Sequence, residues 1–233
     1  GQKAFCTNAG VAGVIIFTAK IIIKDKEVGI GALYVDAGTK GLRLGSPENK
    51  MGWKGSDTRS VYFDDMKIPS TNILGSPTKG FKQFLQTLTG GRISISALAL
   101  GICQGAYNIA LNYSNEREAF GKKINKFQSV SFKLADMATQ IEAAKHLVYS
   151  AAWLKDNNQD IIKEAAMAKL FSSEAAMNIT TEAIQIHGGF GYIREYNVER
   201  FFRDAKILEI GEGTSEVQRI VISREILKSL KDQ

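Results

Sequence analysis

Proline divides this chain. All three prolines, Pro47, Pro69 and Pro77, come early, and none follows Pro77 on the way to Gln233. Proline removes a backbone donor and clashes with the preceding helical turn, so the proline-free stretch is open to long helices. Its apolar residues keep a helical period. Phe81, Leu85 and Leu88 open one helix that continues through Leu98, Ile102, Ala106 and Ile109. A second runs from about Ser129, with Val130, Leu134, Met137, Ile141, Ala144, Leu147, Ala151 and Leu154 spaced alternately by four and three. A third, rich in alanine, covers Ile161 to Ile186, and a last one starts near Ser215. Four long amphipathic helices on short connections predict a four-helix bundle.

Ahead of Pro77 the pattern is different. Short β-rich runs, Val14 to Phe17, Ile21 to Ile23, Ile30 to Val35 and Val61 to Phe63, alternate with turn signals such as Lys24-Asp25-Lys26, Asp36-Ala37-Gly38 and Ser46-Pro47-Glu48-Asn49. This predicts an antiparallel β region, partial because Gly1 stands in what reads as the middle of a strand. The expected class is therefore α+β: a partial antiparallel β domain over 1–76, then an all-α C-terminal four-helix bundle over 77–233. The start at Gly1 also suggests a piece of something longer.

Composition narrows the function classes. The 233 residues, 44% of them hydrophobic, suffice for a sizeable core. A net charge of +6 suits a phosphate-bearing ligand but lacks the one-sided basic cluster of a nucleic-acid binder. The nearest cluster is Arg117 with Lys122, Lys123 and Lys126, which a solvated helix end explains as well as a phosphate does. Cys6 and Cys103 have no metal or redox spacing, favouring a reducing compartment. His146 and His187 belong to no metal-binding motif, so no metal site is expected. No apolar run approaches the roughly 20 residues that span a bilayer, so no membrane span is expected. A Walker loop, a GxSxG elbow and an HExxH pair are absent, and Gly189-Phe190-Gly191 lacks the strand-to-helix context of a dinucleotide fingerprint.

Three glycine-marked stretches interrupt the helical pattern. Gly90-Gly91 falls inside the first helix, ahead of Arg92, where each glycine costs about 1 kcal/mol relative to alanine. It is either a kink or a place where something approaches the backbone. Gln185-Ile186-His187-Gly188-Gly189 ends the third helix, where glycines usually cap. Gly211-Glu212-Gly213 precedes the last helix, and Ser215 with Gln218 three residues on reads as a capping box. A carboxylate between two glycines at a helix start is either a surface acid favoured by the helix dipole or a reactive group on a loop that lets backbone approach a ligand.

Seven motifs in order resemble one family: Gly1-Gln2-Lys3-Ala4-Phe5-Cys6-Thr7-Asn8, Lys50-Met51-Gly52-Trp53-Lys54-Gly55-Ser56, Gly91-Arg92-Ile93, Glu116-Arg117-Glu118-Ala119-Phe120-Gly121-Lys122, Gln185 to Gly189, Arg203-Asp204-Ala205-Lys206 and Glu212-Gly213-Thr214-Ser215. Each is weak alone; in register they resemble the acyl-CoA dehydrogenases, and the short-chain branch is nearest. The likeness implies a subunit with an N-terminal helical domain, a central β domain and the bundle. Residues 1–233 match the latter part of the β domain and the whole bundle, so the resemblance implies activity for an intact subunit rather than for this stretch alone.

The resemblance also implies roles. Glu212 becomes the base that removes the α-proton of a thioester while hydride leaves the β-carbon for the flavin of FAD, giving a trans-2-enoyl-CoA. Its own backbone N–H helps bind the thioester carbonyl, an oxyanion-hole arrangement. Some relatives carry the base at the position of Gly91, which cannot substitute here. Gly90, Gly91, Arg92 and Gly213 fall on the substrate side. Phe5, Cys6 and Thr7 match the strand beside the flavin ring. Arg117, Phe120 and Gln128 match residues that meet the FAD of a neighbouring subunit. Gln185, Ile186, His187, Gly188 and Gly189 match the adenosine end, and Thr214, Ser215 and Glu216 close over the cofactor. Electron-transfer flavoprotein as electron acceptor, a homo-oligomer built as a dimer of dimers or a partner chain supplying the N-terminal part, and a mitochondrial-matrix or bacterial-cytoplasmic home all follow from the same likeness. Gly211 stands where straight-chain members usually have tyrosine, which implies a differently shaped pocket. Two other readings remain: a flavin oxidase or monooxygenase on the same scaffold, and a non-catalytic assembly subunit.

Overall fold

The first residues form strands because their apolar side chains alternate. In the computed structural model, which describes residues 1–230, β1 (Gln2–Thr7), β2 (Val14–Ile23), β3 (Lys26–Asp36), β4 (Leu42–Leu44) and β5 (Thr58–Phe63) make up the β region. β1, β5 and β4 form one antiparallel sheet in that order, and β2 with β3 a separate ribbon. The expected runs Val14–Phe17 and Ile21–Ile23 are one strand. Phe17 is buried and Ile15, Ala19 and Ile21 partly so, while Val14, Ile16, Lys20 and Ile22 face out, a period of two that runs straight through the polar residues between the two runs. Lys24 and Asp25 both take positive φ, 50° and 61°, giving the two-residue turn whose twist matches that of paired strands. The Phe17 and Phe63 rings, 4.4 Å apart, join ribbon to sheet around the buried Ala32, Val35 and Val61.

Contacts divide the chain into two units, Gly1–Thr87 and Leu88–Gln233. α1 (Gly80–Glu116) begins in the first, where a Cβ on Gly80 would fall 2.0 Å from the Ala32 nitrogen. It continues unbroken into the second, joined there by α2 (Gln128–Asp156), α3 (Ile162–His187), α4 (Val198–Ala205) and α5 (Ser215–Ser229). A two-strand hairpin, β6 (Glu118–Ala119) and β7 (Lys122–Lys123), links α1 to α2. The short α4 is absent from the periodicity reading. Its eight residues are too few to show a repeat, and its start depends on Asn197 in the left-handed region.

α3 is the central helix. Ala165, Ala166, Ala168, Ala176 and Ala183 are fully buried, and the hydroxyls of Ser172 and Thr180 turn back onto the Ala168 and Ala176 carbonyls. Small side chains let neighbours approach it on most sides: Ile93 of α1 and Val148 and Ala151 of α2 pack against Ala165 and Ala168. α1 is, by length and composition alone, apolar enough to cross a membrane. Ala99, Leu100, Cys103, Ala106 and Ala110 on it are buried within the protein, as a bundle core requires.

Candidate active site

The chain leaves α4 through a 3-10 turn, Lys206–Glu209, and the Gly211 amide closes onto the Ile207 carbonyl at 2.8 Å. Glu212 then takes φ 56° and Gly213 φ 91°. A left-handed residue with a side chain costs about 1–2 kcal/mol, so something else in the fold sustains Glu212. The two flanking glycines differ. A Cβ on Gly213 would lie 2.8 Å from Gln218 Nε2, so both space and φ demand glycine there. At Gly211 a Cβ would meet nothing closer than the Ile207 oxygen at 3.4 Å, so backbone geometry does not require a glycine.

Glu212 does not point to solvent as a surface acid would. A Cβ built on Gly91 would stand 2.9 Å from its Oε2, so the carboxylate lies over the helix face that Gly91 leaves bare. Gly90 is matched by Lys155, whose Nζ would be 3.3 Å from an added Cβ. α1 passes through both glycines without a break. What approaches the backbone at Gly91 is the Glu212 carboxylate of the same chain.

Two buried cations flank this carboxylate. Arg92 is 6% exposed and its Nε has no hydrogen-bond partner. Burial pulls its pKa down, Glu212 opposes that shift, and Arg224 reinforces it. Lys169 of α3 is fully buried, and its ammonium donates to the Gly213 carbonyl at 2.7 Å. Burial pushes it down to about 8, with Arg92 acting the same way and Glu209, Glu212 and Glu216 opposing.

The start of α5 corrects the capping-box expectation. The cap is Thr214, whose Oγ1 accepts from the Val217 amide at 3.3 Å. Ser215 lies inside the helix, with Oγ buried and unpartnered. Gln218 is also buried, and its Nε2 reaches back to the Gly213 carbonyl at 2.8 Å and the Glu212 carbonyl at 3.3 Å. A residue in the left-handed region ahead of the helix displaces the cap by one position and turns the loop carbonyls toward Gln218. Glu216 is exposed on the first turn, its pKa lowered by its own backbone N–H and by the Thr214 hydroxyl.

A second cluster forms around His187. Its Nδ1–H donates to the Ala183 carbonyl at 2.7 Å, its ring stacks on Tyr113 at 4.2 Å, and burial lowers its pKa. Gly188 ends α3 at φ 59°, the capping role expected of it. Ile186 is buried, whereas Gln185, Gly188 and Gly189 are exposed. The Arg117 guanidinium lies 5.7 Å from the Phe190 ring, so the fold brings Arg117 to the 185–190 segment. Phe120 is 96% exposed at the tip of the β6–β7 hairpin, and Gln128 is exposed at the start of α2. Phe5, Cys6 and Thr7 belong to the first unit, on β1, where a bulge between Lys3 and Cys6 sets Phe5 at φ 53° and 74% exposed.

Lys169 and Gln218 are residues around Glu212 that sequence reasoning passes over. Lys169 carried a signal: a lysine on the alanine-rich stripe that the helical period sends into the core. Gln218 was seen only as a cap partner.

The chain resembles known proteins along nearly its whole length. Residues 1–66 match the family model for the acyl-CoA dehydrogenase middle domain, and residues 78–227 that for the acyl-CoA dehydrogenase C-terminal domain. The chain is 55% identical over 98% of its length to a probable acyl-CoA dehydrogenase, YngJ, of Bacillus subtilis, covering 60% of that protein. It is 49% identical over 99% of its length to the human mitochondrial short-chain specific acyl-CoA dehydrogenase, covering 56% of it. CarC, a subunit of the caffeyl-CoA reductase-Etf complex of Acetobacterium woodii, is 45% identical, with 98% of this chain and 60% of CarC covered. Among solved structures, Megasphaera elsdenii butyryl-CoA dehydrogenase superposes with a TM-score of 0.93 at 49% identity, over 97% of this chain and 59% of that one. PigA, solved with FAD and proline, gives 0.92 at 32% identity, over 97% and 59%. The chain thus spans under two thirds of the length of these relatives.

Proposed function

The chain belongs to the acyl-CoA dehydrogenase family, and on that premise we propose that it carries the catalytic base of an FAD-dependent enzyme that turns a short-chain acyl-CoA into its trans-2-enoyl-CoA. The observation that carries the reading is Glu212: a carboxylate on a strained left-handed backbone, laid over a helix face that Gly91 keeps bare, beside two buried cations. A surface acid at a helix start needs none of this. Strain sustained by surrounding structure is characteristic of reactive sites.

The residues proposed to hold FAD are Phe5, Cys6 and Thr7, Gln185 to Gly189, and Thr214 to Glu216, with Arg117, Phe120 and Gln128 proposed to meet the FAD of a neighbouring subunit. They suit such a group: Ser215 Oγ is a buried hydroxyl in want of a partner, Phe120 is an aromatic ring presented to its surroundings, and Arg117 is a fork suited to phosphate oxygens. Bound there, FAD supplies the acceptor for the β-hydride. Glu212 takes the α-proton, and its backbone N–H, fixed by the loop, donates to the thioester carbonyl as negative charge develops on it. Arg92 holds positive charge beside the proton-transfer step. Gly90, Gly91, Arg92 and Gly213 would line the substrate side.

The intact protein is proposed to pass electrons to electron-transfer flavoprotein, a reading supported by the complex in which CarC serves. Assembly as a dimer of dimers and residence in a mitochondrion or a bacterium follow the relatives. The test uses the intact protein. It is expected to purify with FAD and to bleach anaerobically on adding butyryl-CoA, and Glu212→Gln is expected to slow that bleaching by about 10³-fold, within the range of a positioned base. Bleaching by Glu212→Gln at the normal rate would remove Glu212 as the base. A protein with no flavin absorbance, even beside a partner chain, would instead be an assembly subunit.

A further inference from the structure

Lys169 poses a question that stability does not answer. A lysine with no exposed surface costs folding free energy, and replacing buried charge by apolar volume is often neutral or stabilising. Burial lowers its pKa to about 8. Yet its ammonium is aimed at one backbone atom, the Gly213 carbonyl, across 44 residues of chain.

That carbonyl has a second donor. Gln218 Nε2 reaches it at 2.8 Å, from a side chain that is itself fully buried, and the same nitrogen lies 3.3 Å from the Glu212 carbonyl. One peptide oxygen thus receives two buried donors, from α3 and from α5. The residue before it is the one whose backbone is strained and whose carboxylate sits over Gly91. Gln218 also reaches the Glu212 carbonyl, so the carbonyls on both sides of Gly213 are tied, and together these bonds restrict the rotation that would let Glu212 relax toward its usual conformation.

We propose that Lys169 and Gln218 are positioning residues that clamp the Gly213 carbonyl, and through it hold Glu212 in its left-handed conformation with the carboxylate over Gly91. Neither touches the reacting atoms in this scheme. Both act by keeping the base where a proton on carbon can reach it, and misplacing a catalytic group by an ångström costs about 10²-fold in rate. The role in rate rests on Glu212 being the base; the effect on the loop does not.

The experiment compares the intact protein with Lys169→Met and Gln218→Met, close to the native residues in length but without a donor. Three quantities are read: melting temperature, hydrogen–deuterium exchange of the peptide spanning 208–218, and the rate and half-saturation of flavin bleaching by butyryl-CoA. Lys169→Met is expected to melt at or above the wild-type temperature, to exchange the loop at least about tenfold faster, and to bleach about 10- to 100-fold more slowly with half-saturation nearly unchanged. Gln218→Met is expected to show the same pattern more weakly, because Lys169 still holds the carbonyl. Should Lys169→Met fail to fold, Gln218→Met carries the test alone. Wild-type loop exchange and wild-type bleaching in the folded variants would overturn the clamp. Glu212→Gln in the same series separates the two ideas. If Glu212→Gln bleaches normally, the assignment of the base fails while loop exchange still judges the clamp; if it is inactive and the other variants match wild type, only the clamp fails.

Discussion

Two glycine pairs, Gly90-Gly91 and Gly188-Gly189, look alike in the sequence and do opposite things. Gly188 is a glycine for its backbone: φ 59° at the end of α3, with nothing within 4 Å of the place a Cβ would occupy. Gly91 is a glycine for its vacancy: ordinary helical backbone, with the Glu212 carboxylate 2.9 Å from where a Cβ would stand. The first answers to the chain's own geometry, the second to a side chain more than a hundred residues away. A glycine inside a helix, where it costs stability, signals something pressed against it.

That contrast can be broken by adding one methyl group at a time. Gly91→Ala in the intact protein is expected to push the Glu212 carboxylate aside and slow flavin bleaching about 10- to 100-fold, while the helix gains about 1 kcal/mol. Slower bleaching with an unchanged or higher melting temperature would support it; normal bleaching would mean that the carboxylate has another resting place from which it works. Gly188→Ala is expected to do the reverse, lowering stability by about 1–2 kcal/mol through the forbidden φ, seen as a fall in the denaturation midpoint. An unchanged midpoint would mean that α3 can end differently. The smallest effect should come from Gly101→Ala, a helical glycine of α1 with nothing within 4 Å of the added atom. Stability is expected to rise by somewhat under about 1 kcal/mol with normal bleaching, and any loss of rate there would show that helical glycines as a class, rather than Gly91 in particular, matter to the site.

Gly211 sharpens the comparison from the other side of Glu212. Its backbone is unstrained and a Cβ would meet only the Ile207 oxygen at 3.4 Å, so Gly211→Tyr is expected to fold with a near-native midpoint. Its expected consequence is a change in which acyl-CoA bleaches the flavin fastest, measured across a chain-length series. An unchanged preference would place position 211 outside the acyl pocket.

Local signals were legible in the residues. The missing prolines after Pro77 and the spacing of Leu134, Met137, Ile141 and Ala144 foretell the bundle, because a helix writes its buried face into a period of 3.6. Gly188 as a cap needs only its neighbours. Lys24-Asp25 as a turn was readable for the same reason, whereas the union of two apolar runs into β2 was not, since Thr18 to Lys20 look like a break until the alternate faces are seen. The cap of α5 lies one residue earlier than the capping box implied, because Thr214 as well as Ser215 can cap a helix and the structure uses Thr214.

The sequence by itself determined the helices, the strands and a carboxylate between glycines, since each depends on residues within a few turns of one another. Only the tertiary structure decided what that carboxylate faces. The Gly91 vacancy, the burial of Arg92 and the two donors on the Gly213 carbonyl come from four segments that α3 brings together, and no spacing encodes them. A side chain's burial and partners are properties of packing, and packing joins residues that the chain keeps far apart.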